Sequence, residues 1–379
     1  MKRLSVILFL ILMVPACALA FDLSPYILPD AEWDESYSPP VPLSANDYLQ
    51  EYFHPGEGFK TDFKFEHHLL RVTDRQRVMD ISLPGHGGYA LLYADGRFGL
   101  LQATSYPEET KEMWKEHYTV YDVEGEALAN PRTFDGDPYA LALYPFGFAG
   151  MRDEGNDQSE LVLYDAKTLD PYFRYTIPFS RAYVQDACVS GGAVYALVKQ
   201  HGRPSLPDCI ILRISEDGLD WVYHTTDKDF RYNVTTPDGQ GGILLKGSLN
   251  EDYKQSRITC IDAAGSERWS KTLSGKKAVI HPALTIPNPD GTAMLYGYCV
   301  AKSRGLFTVF AAALSAQGDI LSLDVRDYSA RADTGPNIML AQDGTVLVYS
   351  FEIDSANQPG VLVPFDALPK AKDPGIRLE

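Results

Sequence analysis

Carboxylates outnumber every other ionisable side chain in this sequence, with 51 acids against 34 lysines and arginines and 8 histidines. Two of them held about 5–10 Å apart would supply the acid and base of glycoside hydrolysis. The acids are spread along the whole chain, and no spacing singles out a pair. The densest oxygen-donor run is Asp153-Glu-Gly-Asn-Asp157-Gln-Ser-Glu160, a composition that suits calcium. It lacks the spacing of a calcium-binding loop and reads as a solvated connection. His67 and His68 are adjacent and would point to opposite faces of a strand. His86, His117, His201, His224 and His281 are scattered. No G-x-S-x-G elbow anchors a serine nucleophile, and no helix pattern follows Gly85-His86-Gly87-Gly88 to cradle a phosphate. No metal, no cofactor and no catalytic residue is expected from these patterns.

The ends and the overall charge narrow the class further. Lys2 and Arg3, an apolar run from Leu4 to Val14, and Ala18-Leu19-Ala20 have the layout of a secretory signal over residues 1–20. Val14-Pro15-Ala16-Cys17 loosely resembles a lipoprotein box, but Pro15 and the competing cleavage site argue for a secreted, periplasmic or cell-surface product without a lipid anchor. The apolar run is too short to span a membrane, and no later segment approaches the length required. The mature chain would carry 32 basic and 51 acidic residues, a balance of −19. That excess repels phosphate backbones, so no nucleic-acid partner is expected. Cys188, Cys209, Cys260 and Cys299 are far apart in sequence and lie in or beside apolar strand-like runs, which suits buried free thiols.

The elements that must position any site are strands. Residues 21–60 form a proline-rich extension, in which Ser44 to Phe53 has the pattern of one short helix with Ser44 as its N-cap. From residue 61 to 379 the pattern is short β-branched and aromatic runs separated by Asp, Gly, Pro and Asn turns, the signature of an all-β domain. One insertion, Pro107 to His117, reads as two helical turns. Aligning the turns at Asp74, Asp122, Asp165, Ser215, Asp262, Ser315 and Asp366 gives spacings of 43 to 53 residues. Four short strands at that period make a β-propeller blade. In the unit around Asp262 the strands are expected at 232–235, 243–247, 257–261 and 267–272. The count is six or seven four-stranded blades, with seven favoured. Leu69 to Leu83 would supply a c/d pair at one end and Asn337 to Phe365 strands a to c at the other, so strands from both termini would close the ring.

At Cys260-Ile261-Asp262-Ala-Ala-Gly265-Ser-Glu-Arg-Trp269 the chain resembles the repeat of PQQ-like, or quinoprotein-type, β-propellers. The resemblance implies that Asp262 and Gly265 shape a turn and that Trp269 packs between blades. Catalytic members of that family use an adjacent cysteine pair beside a quinone and a metal. This chain has no such pair, so the resemblance implies the non-catalytic branch, whose members act as exported scaffolds. Ser215-Glu-Asp217-Gly218-Leu-Asp-Trp221 is also similar to the Asp box of sialidase-like propellers, itself a fold element.

Function is then expected where the connections from strand d of one blade to strand a of the next share a face. Those connections carry Arg181, Tyr183, Arg231, Tyr232, Lys276, Lys277 and Arg331. In an acidic chain they would gather cations around the mouth of the central channel, and Trp114 would add a stacking surface. The expected function is a non-catalytic binding or scaffold module docking a protein or glycan partner at the cell envelope. The alternative is a carbohydrate-active hydrolase or lyase on the same scaffold.

Overall fold

The computed structural model describes residues 36–37, 40–55, 65–83, 88–92, 98–103, 116–121, 126, 132–134, 141–144, 147–153, 159–165, 170–179, 182–200, 209–225, 230–249, 255–276, 278–301, 307–328, 335–350 and 361–379. Among these residues the strands form seven antiparallel sheets that follow one another along the chain. Sheet 1 contains Ser36–Tyr37, Val41–Ser44, Asp47–Pro55, Phe65–Thr73 and Gln76–Leu83. Sheet 2 contains Gly88–Leu92, Phe98–Ala103, Glu116–Tyr121 and Arg132–Phe134, and sheet 3 contains Leu141–Tyr144, Gly147–Asp153, Ser159–Asp165 and Pro171–Thr176. Sheet 4 is Ala182–Ser190, Ala193–Gln200, Cys209–Ser215 and Gly218–His224. Sheet 5 is Phe230–Pro237, Ile243–Leu249, Ser256–Ile261 and Glu267–Gly275, joined at its edge by Ile376–Leu378. Sheet 6 is Ala278–Pro287, Ala293–Ala301, Phe307–Leu314 and Ile320–Tyr328, and sheet 7 is Asn337–Leu340, Val346–Ser350 and Val361–Pro364. Within sheets 3 to 7 the strands are called a to d in chain order.

The helix expected over residues 44–53 is instead a hairpin, Val41–Ser44 turning into Asp47–Pro55. Ser44 does accept a backbone N–H, that of Asn46, but it does so inside the hairpin turn. Asp47 faces the neighbouring strand, where Arg71 grips it with two hydrogen bonds of 3.0 and 2.8 Å and Thr73 adds a third. Ten residues are too few for a helix to hold by itself, whereas pairing along Phe65–Thr73 satisfies the whole segment. Sheet 1 therefore draws its first three strands from the stretch read as an extension, and does not consist of a c/d pair alone. Sheet 7 has three strands among the described residues, and they pair with one another rather than with an N-terminal strand. The helix expected over 107–117 lies outside the described residues except for Glu116 and His117, which begin a strand. The proposed signal at 1–20 also lies outside them.

The repeat frame read from the turns holds in sheets 5 and 6 in atomic detail. Asp262 accepts the N–H groups of Ala264 and Ser266, both at 2.9 Å, and Gly265 takes φ +83°. Ser315 does the same with its hydroxyl, accepting from Gln317 and Asp319, and Gly318 takes φ +78°. A short polar side chain that caps its own turn is what the position requires, so Ser replaces Asp without changing the backbone. Each turn receives the tryptophan of the preceding sheet. Trp221 donates to the Ala263 carbonyl at 3.1 Å, and Trp269 donates to that of Ala316 at 3.0 Å. The rings lie so close over the glycines that a Cβ at Gly265 or Gly318 would sit 3.1 or 2.9 Å from indole atoms.

The core lies between sheets. One apolar cluster joins sheets 3 and 4 around Leu163, Val184 and Leu212, and another joins sheets 4 and 5 around Tyr195, Leu197 and Leu245. Sheets 5 and 6 meet through Ile258, Leu295 and Phe310, and sheets 6 and 7 through Val309, Val348 and Val363. Leu347 and Tyr349 of sheet 7 pack with Tyr48 and Leu70 of sheet 1, so the first and last sheets share a core. After a short 3-10 turn at Phe365–Ala367 the chain does not add a fourth strand to sheet 7. It runs back as a strap along the outer edges of sheet 6, where Asp327 and Ala371 donate to the Pro369 and Val325 carbonyls, and of sheet 5, where Thr272 and Glu379 exchange backbone hydrogen bonds. Ile376 is buried in the cluster between those two sheets.

Candidate functional site

Tyr183, Arg231 and Tyr232 are described; Arg181, Arg331, Lys277 and Trp114 lie outside the described residues. Tyr183 is in strand a of sheet 4, directly opposite Lys199 of strand b. The Lys199 ammonium donates to Gln185 Oε1 at 3.3 Å and to Asn233 Oδ1, which stands on strand a of sheet 5 next to Tyr232. Burial lowers the Lys199 pKa, and the nearby Arg231 guanidinium lowers it further, while the Cys209 thiol opposes both. Burial raises Tyr183, the Cys209 thiol adds to the rise, and the same Arg231 works against it. Tyr183 and Lys199 thus face each other on sheet 4, and Lys199 reaches to sheet 5 at Asn233, two residues from Arg231 on the same strand. Lys199 was missed in the sequence because it closes an otherwise apolar strand. Its place directly after the apolar run at residues 193–198 was the available signal.

Tyr232 goes elsewhere. It is 5% exposed and packs into the interface between sheets 4 and 5. This corrects the expectation of a rim residue, and the reason is alternation along the strand, which turns neighbours Arg231 and Tyr232 to different surroundings. The Tyr232 hydroxyl shares a hydrogen bond of 2.9 Å with Thr259, whose hydroxyl shares another of 2.8 Å with Ser270. Outward from this chain the interface opens into a cleft of about 240 Å³ lined by Tyr223, Thr225, Tyr232, Arg257, Glu267, Ser270 and Thr272. Burial and the adjacent Glu267 carboxylate raise the Tyr223 phenol, and burial lowers the Arg257 guanidinium against the opposing pull of Glu267. Burial likewise carries the Tyr232 phenol to about 12. The cleft sets Glu267 against Arg257 rather than against a second carboxylate, so it has the makings of a binding site and not the acid and base of a glycosidase.

A second polar group lies largely in the interior. Lys246 is 2% exposed, and its ammonium donates to the Ala283 carbonyl of sheet 6 at 2.8 Å. Asp186 of sheet 4 accepts from the Thr235 N–H at 2.6 Å and from its hydroxyl at 3.1 Å. Burial lowers the lysine to about 8 and raises the aspartate, and each partly offsets the shift of the other. Cys188, Cys209, Cys260 and Cys299 are free thiols, as expected, and burial pushes all four up to about 12. Among the described residues no group of three or more metal-ligating side chains converges. Nor is any described helix long and apolar enough to cross a membrane.

No protein-family model and no curated protein matches the sequence. The fold does have relatives among solved structures. The β-propeller domain of the trilobed protease from Pyrococcus furiosus matches with a TM-score of 0.54 at 13% identity, over 91% of this chain and 97% of that one. Acylaminoacyl peptidase from Pyrococcus horikoshii matches with a TM-score of 0.55 at 12% identity, over 90% of this chain and 52% of that one. Prolyl oligopeptidase B from Galerina marginata gives 0.54 at 12% identity, over 91% and 51%. The chain spans about half the length of these two peptidases. The fold is therefore a β-propeller, and at such identities the likeness extends to fold alone.

Proposed function

We propose that this chain is an exported, seven-bladed propeller of the PQQ-like, non-catalytic type that docks an anionic protein or glycan partner at the cell envelope. Seven sheets and the shared core of sheets 1 and 7 support the blade count and closure by packing of faces. The observation that carries the docking role is the gathering of Tyr183, Lys199 and Arg231 from two sheets into one cationic and aromatic group, in a chain of net charge −17. Arg181, Arg331 and Trp114 would extend the same surface.

Fluorescence anisotropy with labelled poly-glutamate and with a sulfated oligosaccharide tests this reading. Binding of at least one probe should weaken with salt. The double change Lys199→Glu and Arg231→Glu should reduce it about tenfold or more. If the wild-type protein binds neither probe, or the reversed charges leave binding unchanged, the docking role is wrong.

A further inference from the structure

The interface between sheets 4 and 5 departs from the repeat at a specific set of positions. Asp262 of sheet 5 and Ser315 of sheet 6 occupy the same place in their turns, so the flanking strands align residue for residue. The strand pairs agree with that alignment. Arg257 lies opposite Thr272 where sheet 6 has Phe310 opposite Val325, and Thr259 lies opposite Ser270 where sheet 6 has Ala312 opposite Leu323. Glu267 takes the place of Ile320. In sheet 6 all of these residues belong to or pack on the apolar cluster that joins it to sheet 5. Sheet 4 follows the apolar rule too, with Ile210 and Leu212 buried against sheet 3 at the corresponding places. Sheet 5 alone of these three presents guanidinium, carboxylate and hydroxyls to the blade before it.

Packing blades does not ask for this. Apolar burial at the same sites stabilises the neighbouring interfaces, and each polar group drawn into an interface costs free energy unless it finds a partner. The departure leaves an open cleft, so its polar groups face a space rather than a packed wall. We infer that this cleft between sheets 4 and 5 is a binding site for a single neutral sugar ring or a similar polyol. One cation and one anion, Arg257 and Glu267, leave the cleft with no net charge to favour an ionic ligand. Hydroxyls of Tyr223, Ser270 and Thr272 offer donors and acceptors in the density that vicinal ligand hydroxyls require. At about 240 Å³ the space falls below the roughly 300–1,000 Å³ of drug-sized sites, which limits the occupant to about one ring. A ligand so small is expected to bind with a Kd of about 1 mM.

Saturation-transfer NMR on the full chain tests the site, using methyl glycosides of glucose, galactose, mannose and N-acetylglucosamine, with glycine and serine as zwitterionic probes. At least one glycoside should receive saturation, and exposed Glu267→Gln should weaken its binding about tenfold or more, as expected for loss of a charge-assisted hydrogen bond. The pair Ser270→Leu and Thr272→Val, which gives sheet 5 the side chains of sheet 6, should abolish the signal while keeping or raising Tm. Lys199→Glu with Arg231→Glu should leave it intact, which separates this site from the docking group of Tyr183, Lys199 and Arg231 proposed above. No transfer to any glycoside, transfer to the amino acids alone, or a glycoside signal that survives in the Ser270→Leu, Thr272→Val protein overturns the inference.

Discussion

A lysine with 2% of its surface exposed is an expensive residue, and Lys246 shows where a propeller tolerates one. Burial moves its pKa from 10.5 to about 8. Between those values an unfolded chain binds a proton that the folded chain has released, so stability rises with pH across the window. Below it the interior charge costs about 3 kcal/mol. Urea unfolding of the wild type and of Lys246→Met should show the wild type gaining on the variant by roughly that amount between pH 7.5 and 10. A difference that stays constant with pH would sink the assignment. Single residues of this kind were the least legible part of the sequence. Lys246 ends up as an interior ammonium and Lys199 as a half-buried one, each reaching across to the next sheet, and neither the charge nor the spacing says so. Arg231 and Tyr232 were read together as rim residues, yet one joins the cationic group and the other enters the cleft, because a strand separates neighbours that a loop would keep together.

At the level of elements, the turn between strands c and d was readable, and so was the packing of its tryptophan between blades, but the glycine that each tryptophan covers was not. Asp262 and Gly265 announce the turn in any sequence. That Trp221 would cover Gly265, and Trp269 would cover Gly318, follows only from the way one sheet stands behind the next. Both glycines need positive φ, and at these two an added Cβ also strikes an indole. Gly318→Ala should therefore cost about 2–4 kcal/mol, the strain of the left-handed backbone plus overpacking. Gly344→Ala, at φ +88° with open space around it, should cost only the strain, about 1–2 kcal/mol. Equal losses of Tm in the two variants would show that the tryptophan contact contributes nothing. The hairpin at Val41–Ser44 and Asp47–Pro55 teaches the opposite lesson. Its capping serine and early acid satisfy helix rules locally, and the pairing with Phe65–Thr73 that overrides them is invisible until the partner strand is known.

For the whole molecule, period and composition were enough to find a propeller, because each blade is local in sequence and repeats the same demand for turns and apolar alternation. The tail could not be read this way. Residues 369–379 leave the repeat and bind edges belonging to sheets 5 and 6, as in Leu273 with Leu378 and Arg326 with Lys370, and such non-local pairing leaves no periodic trace. Deleting them should lower stability by about 3 kcal/mol, the loss of Ile376 burial and several backbone hydrogen bonds. The comparison to make is thermal unfolding of the truncated and full chains; an unchanged Tm would mean that the strap is decoration.

The strap also orders events in time. A ribosome delivers the strap only after both sheets it covers have had the opportunity to form. Until those residues arrive, the outer strands Glu267–Gly275 and Ile320–Tyr328 offer unpaired backbone to any neighbouring chain. A nascent chain stalled near residue 368 is then the species most exposed to strand-by-strand aggregation, and a messenger truncated there would yield a product suited to removal by proteolysis rather than to use.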